Sequence, residues 1–136
     1  MGRVRAYSAG STPSGQVHPQ SLKLLTELGY PTENLSSQSW DVYAAEGAPQ
    51  MDIVITVCDS AANETCPYWP RTNDHAPVQV HWGIPDPAAA AKPDWEPAFQ
   101  TAYDTMVAKA KALLDIPFET MDPTELETAL KKIAFV

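Results

Sequence analysis

Two cysteines and one aspartate are the residues of this chain whose type and placing best suit covalent or proton-transfer chemistry. Cys58 directly follows the apolar run Ile53-Val54-Ile55-Thr56-Val57, and Cys66 stands eight positions further on, in a stretch with no periodicity. Two thiols so arranged can form a reversible disulfide if the intervening chain folds back to a Cα separation of about 5.5 Å. A plainer reading stays open, with Cys58 a small core residue and Cys66 an idle surface thiol, because cysteine is among the residues most often buried. The place of Cys58 at a strand end, beside a loop that carries Cys66, favours the redox pair.

Asp86 precedes Pro87 just after the segment Val78-Gln79-Val80-His81-Trp82 and the turn residue Gly83. A carboxyl group projecting there could protonate a leaving oxygen. An ordinary turn aspartate before proline would have the same sequence. His81 within a short strand and His18 before a proline at a helix start read as packing and capping residues. The three histidines form no close group with cysteine or carboxylate, so no metal site is expected. Trp40, Trp69, Trp82 and Trp95 are scattered and not interleaved with basic residues, which suits packing and loop anchoring better than base stacking.

The elements that must position these residues follow from pattern. Arg3–Ser8 alternates charged and apolar residues and runs into Gly10 and a turn-rich stretch, as a strand entering a loop does. Leu22, Leu25 and Leu28 line one face of a short helix stopped by Gly29 and Pro31. Ser36 and Ser37 can cap a second short helix through Trp40 and Tyr43. The β-branched run Ile53–Val57 reads as a strand buried on both faces, and Val78–Trp82 as another. Residues 58 to 77 read as a long loop of the kind that usually has a functional reason. Phe99, Tyr103, Met106, Ala110 and Leu113 mark a long amphipathic helix ending before Pro117. A last helix opens with Asp122-Pro123-Thr124-Glu125 and should bury Leu126, Leu130 and Ile133. Strands alternating with helices predict an α/β protein with a mostly parallel sheet and helices on both faces, the chemistry lying at the carboxyl ends of the strands.

Composition narrows the function classes. The chain has 136 residues, enough for one domain, and a formal net charge of -8 from nine Lys plus Arg against 17 Asp plus Glu. Such a charge works against sequence-independent binding to nucleic acid or to an anionic membrane. With two cysteines, no basic-then-apolar start and no apolar run near the roughly 18 residues of a membrane helix, a soluble cytoplasmic protein is expected.

Four segments together resemble the arsenate reductases of the low-molecular-weight protein tyrosine phosphatase family. They are Ser8-Ala9-Gly10-Ser11, Asp52-Ile53-Val54-Ile55-Thr56-Val57-Cys58-Asp59, Cys66-Pro67, and His81-Trp82-Gly83-Ile84-Pro85-Asp86-Pro87-Ala88. The likeness runs in order from about Arg3 to the last helix. It implies a three-layer sandwich around a mostly parallel sheet. It also implies a chemistry in which a cysteine in a Cys-x5-Arg phosphate-binding loop attacks arsenate and an aspartic acid, here Asp86, protonates the departing oxygen. Cys58 then matches the first resolving cysteine and Cys66 the second, passing a disulfide to a thioredoxin-like or other thiol reductant. No cofactor is implied. The ligand would be arsenate or a phosphate-like oxyanion, and the setting arsenic resistance.

Neither cysteine fits the loop itself: Glu64 is the sixth residue after Cys58, and Arg71 stands five positions after Cys66. The family's first strand and its loop belong ahead of the segment matching Arg3–Gly10. The expectation is therefore a single domain over residues 1–136, N-terminally incomplete, with the first central strand absent and no activity as an isolated chain. An open slot in the sheet predicts a homo-oligomer or a strand-exchanged dimer. Two rival readings are a phosphatase-like hydrolase of the same fold, which would not need the cysteine pair, and a non-catalytic binding or regulatory module.

Overall fold

The computed structural model describes residues 4–10, 15–44, 47–57 and 77–136. Cys58 and Cys66, with the loop expected between the strands, lie outside the described residues. In chain order the elements are helix α1 (Pro19–Glu27), the short helix α2 (Asp41–Ala44), strands β1 (Ile53–Thr56) and β2 (Val78–His81), helix α3 (Trp95–Leu114) and helix α4 (Pro123–Ile133). Single 3-10 turns at Pro87–Ala89, Lys92–Asp94 and Phe118–Thr120 join the later elements. This is the expected α/β class.

The helices begin and end where local chemistry dictates. His18 precedes Pro19, and its Nδ1 accepts from Gln20 N at 3.1 Å, so the imidazole supplies the acceptor that a helix N-terminus needs. The other end of α1 is a Schellman turn: Gly29 has φ +86, its N–H donates to Thr26 O at 3.1 Å, and Tyr30 N–H donates to Leu25 O at 2.9 Å. Helix α4 opens as expected, with Asp122 accepting from Glu125 N at 2.8 Å and Pro123 at the first helical position. That donation from the Glu125 backbone N–H is the main cause holding the Asp122 carboxyl below the ordinary carboxylate range. Helix α2 is capped by Ser39, whose Oγ accepts from Asp41 N at 3.1 Å, and not by Ser36 or Ser37.

Strands β1 and β2 pair in parallel with Ile53 opposite Val78 and Thr56 opposite His81. Alternation sends Ile53, Ile55, Val78 and Val80 to one face, where they meet Trp82 and the buried Leu126, Leu130 and Ile133 of α4. Beside this core, Leu24 of α1 and Phe99 of α3 are buried, and α1 packs on α3. Three expectations need correction. Residues 53–56 are half-buried rather than buried on both faces, because the core and α4 lie against the Ile53 and Ile55 side. In α1 it is Leu24 that is buried, while Leu28 is exposed. Over the described part of the strand expected at Arg3–Ser8, residues 4–9 have no ladder, and Gly10 makes a lone parallel bridge to Ser39, with Gln38 Nε2 donating to Ser8 O. Alternation can orient side chains, but a strand also needs an edge to pair with, and the neighbour here is the 38–40 segment.

Helix α3 departs from its expected stripe in an instructive way. Phe99 is buried, but further along the buried position is Lys109, 3% exposed, and not Ala110. Its ammonium donates to Ile133 O at 3.3 Å, Ala134 O at 2.7 Å and Val136 O at 3.2 Å. A cation there meets the negative end of the α4 dipole and carbonyls that have no partner within the helix. Leu130 O, in the last turn of α4, accepts from the indole of Trp82 at 3.0 Å.

Replacing Lys109 with methionine keeps most of the apolar stem and takes this donor from Ala134 O and Val136 O, while Ile133 O keeps its bond from Val136 N. The expected loss is about 2 to 4 kcal/mol in urea unfolding, against less than about 0.5 kcal/mol for the exposed Lys111→Met. Trp82→Phe removes the indole donor from a site 3% exposed. It should cost about 2 to 4 kcal/mol in the same measurement, from an orphaned carbonyl plus lost ring volume.

Candidate functional site

The site is built by two strands that run out side by side. Past the assigned ends, the parallel ladder continues: Trp82 N donates to Thr56 O at 2.8 Å and Ile84 N to Val57 O at 2.7 Å. The carboxyl ends of β1 and β2 therefore finish level, the arrangement around which ligands gather in parallel sheets. Val57 is the residue before Cys58, and Ile84 stands two residues before Asp86. Between Trp82 and Ile84, Gly83 takes φ +32, a conformation that side chains other than glycine's rarely adopt. That turn lets both Trp82 and Ile84, each under a tenth exposed, enter the interior.

Asp86 emerges from this turn at the surface. Its Oδ1 accepts from Ala88 N at 2.9 Å and caps the 3-10 turn Pro87–Ala89, with Pro87 at the first position. In the observed geometry the residue thus fills the turn role that its Asp-Pro sequence already allowed. The carboxylate is exposed. Of the residues singled out from the sequence, Asp86 is described in position, while Cys58 and Cys66 fall outside the described residues.

Two arrangements near the strand ends were not legible beforehand. Thr56 Oγ1 and His81 Nδ1 lie 2.7 Å apart across the parallel pair, on the face opposite Ile55 and Val80, so His81 is an exposed hydrogen-bonding residue and not a packing one. The signal was available only as register, since each residue is the last of its strand. The other is Trp95, which opens α3. Its indole donates to Ala90 O at 2.9 Å, at the exit of the Asp86 loop. Its ring meets that of His18 edge-on, 4.5 Å between centroids at 81°. His18 in turn lies 4.6 Å from Phe99, as well as capping α1.

The described residues hold no group of three or more His, Cys, Asp or Glu side chains able to bind a metal ion. None of their helices is long and apolar enough to cross a membrane. An open groove of about 730 Å³ runs between the end of α3 and α4, lined in part by Ile116, Met121 and Ile133. It shares no residue with the Asp86 loop, and its exposed surface is mostly apolar although Asp115, Glu125 and Lys132 also line it, so the level strand ends remain the better candidate site.

The family model for low molecular weight phosphotyrosine protein phosphatases matches residues 1–131. The arsenate reductase of Halalkalibacterium halodurans is 37% identical over 90 residues, which is 66% of this chain and 58% of that protein. The arsenate reductase of Brevibacillus brevis is 32% identical over 105 residues, 77% of this chain and 69% of the relative, and that of Bacillus subtilis 34% over 86 residues, 63% and 55%. The chain thus spans from a little over half to about two thirds of the length of the curated relatives it matches. By the extent of these matches, the chain belongs to the low molecular weight phosphotyrosine protein phosphatase family, alongside the arsenate reductases it is similar to.

Proposed function

We propose that this chain serves thiol-coupled reduction of arsenate to arsenite, with Asp86 as general acid and Cys58 and Cys66 as successive resolving thiols. The observation that supports it best is the Ile84–Val57 hydrogen bond, which brings the residue before Cys58 level with the turn that carries Asp86. The reaction requires a nucleophilic cysteine held by a Cys-x5-Arg loop, which the 136 residues do not contain. In the complete scheme that cysteine displaces one oxygen of arsenate, and Asp86 supplies the proton with which the oxygen leaves as water. Cys58 attacks the nucleophile's sulfur, arsenic takes the bonding pair, and arsenite departs as As(III). Cys66 then attacks the Cys58 sulfur and frees the nucleophile, and the Cys58–Cys66 disulfide is reduced by a thioredoxin-like or other dithiol. A cytosolic setting suits such a cycle, because thiol reductants are maintained there.

Assayed with thioredoxin, its reductase and NADPH, the 136-residue chain alone should give no arsenate-dependent turnover. Joining a strand and Cys-x5-Arg loop ahead of residue 1 should produce it. In that form Asp86→Asn should lower the chemical step by about 10² to 10⁴, and Cys58→Ser should stop multiple turnover. Mild oxidation of the native chain should consume both thiols, and Cys66→Ser should leave Cys58 free. Turnover in the unextended chain, or thiols that resist oxidation, would overturn this reading. Hydrolysis of p-nitrophenyl phosphate by the extended form, indifferent to Cys58→Ser, would favour a phosphatase instead.

The same reading extends to architecture and assembly, as one three-layer domain over residues 1–136 with a further strand beside β1. Among the described residues β1 pairs with β2 alone. Its other edge then needs hydrogen-bond partners, which a second copy can supply by edge pairing or strand exchange. Light scattering on dilute protein should report a dimer with slow amide exchange at Ile53 and Ile55. A monomer with those two amides equally slow would leave closure within one chain as the account.

A further inference from the structure

The loop that carries Asp86 runs through Pro87, Ala88, Ala89, Ala90 and Ala91, residues with little or no side chain to bury. Its 3-10 turn lies against α3, but such small side chains anchor a loop only weakly, so its hydrogen bonds carry much of its geometry. Its entrance is held by Ile84, buried and bonded through its N–H to Val57 O at 2.7 Å. Within the loop the bonds are local: Ala88 N to Asp86 Oδ1 at 2.9 Å, Ala89 N to Asp86 O at 3.2 Å and Ala90 N to Pro87 O at 3.2 Å. They shape the turn without fixing it to the rest of the protein.

At the exit, the Trp95 indole reaches the loop from α3 and donates to Ala90 O at 2.9 Å. The indole is itself held on the His18 ring, which caps α1 and packs on Phe99. A rigid two-torsion side chain in such a cradle loses little freedom in making its hydrogen bond. We infer that Trp95 is a positioning residue for Asp86, holding the exit of the acid's loop through its Nε1 hydrogen bond to Ala90 O. The two ends of the loop are thereby tied to different parts of the fold, the entrance to β1 and the exit to α3 on α1. The functional meaning of this arrangement rests on the role proposed for Asp86; the mechanical claim does not.

The test separates the two. In the native chain, the Ala88 amide shift should follow the ionisation of Asp86, because that N–H donates to the carboxylate. Trp95→Phe keeps a ring against His18 and removes the donor. It should cut the amplitude of that titration by about half and speed exchange of the Ala88 and Ala89 amides by about tenfold, with α4 amides unchanged. If Trp95→Phe disturbs α3, the benzothiophene isostere of tryptophan at position 95 removes only the N–H and decides the question. A titration of native amplitude and unchanged exchange in either folded variant overturns the inference. In the form extended with a Cys-x5-Arg loop, Trp95→Phe should lower kcat about tenfold at unchanged KM. It should do nothing further in an Asp86→Asn background. An equal loss in that background would mean Trp95 acts other than through Asp86, and so would also overturn the inference. If the extended form turns nothing over, the role given to Asp86 fails while the amide titration still decides the positioning claim.

Discussion

The hydrogen bond from the Trp82 indole to Leu130 O joins the two halves of the described core. Trp82 lies one residue past the end of β2, and Leu130 is fully buried in α4. A large ring so close to the sheet's working end would disturb the turn after it unless its polar edge had a partner. An unpaired buried N–H costs more than the bond itself gains. Because Leu130 O is one of the last carbonyls of α4, a single contact satisfies a strand-end residue and a helix end together. The face of β2, the seating of α4 and the direction in which the chain leaves toward Asp86 all follow from where this ring sits.

The parts of this arrangement that are local in sequence were legible in it. Asp122-Pro123-Thr124-Glu125 announces the start of α4, Leu126, Leu130 and Ile133 announce its buried face, and Ile53–Val57 announces a strand. What escaped were pairings between distant residues. Lys109 carries no signal of its role, because nothing within a helical turn tells that its ammonium will meet carbonyls 24 to 27 residues later. His18 was readable as a cap but not as the seat for Trp95, and Trp95 was readable as an anchor without its target. Arg3–Ser8 had the alternation of a strand, but its pairing depended on which edge was at hand.

The candidate site shows the same division. Its sequence motif pointed to the family and singled out Asp86 as a candidate, whereas the contacts at the two ends of the Asp86 loop became apparent only in three dimensions. The loop of small residues at 87–91 is suggestive in this respect. A chain that buries little can still be placed well when backbone amides and carbonyls near its ends are bonded to rigid elements. Ile84 and Trp95 hold the two ends of the loop through hydrogen bonds that do not involve the Asp86 carboxylate.

The Lys109 contact also bears on the order in which the molecule assembles. Closing the segment from Lys109 to Ile133 joins residues 24 apart, whereas closing Trp82 onto Leu130 joins residues 48 apart. Doubling a flexible loop adds only about 0.6 kcal/mol of closure entropy, so length alone gives the nearer contact a modest lead. The lead grows because the shorter closure brings together two helices that can each begin locally, while the longer one also has to seat the end of a parallel strand pair, a slow class of contact to form. The helical hairpin of α3 and α4 is thus suited to form first and to offer β2 a finished surface on which to settle.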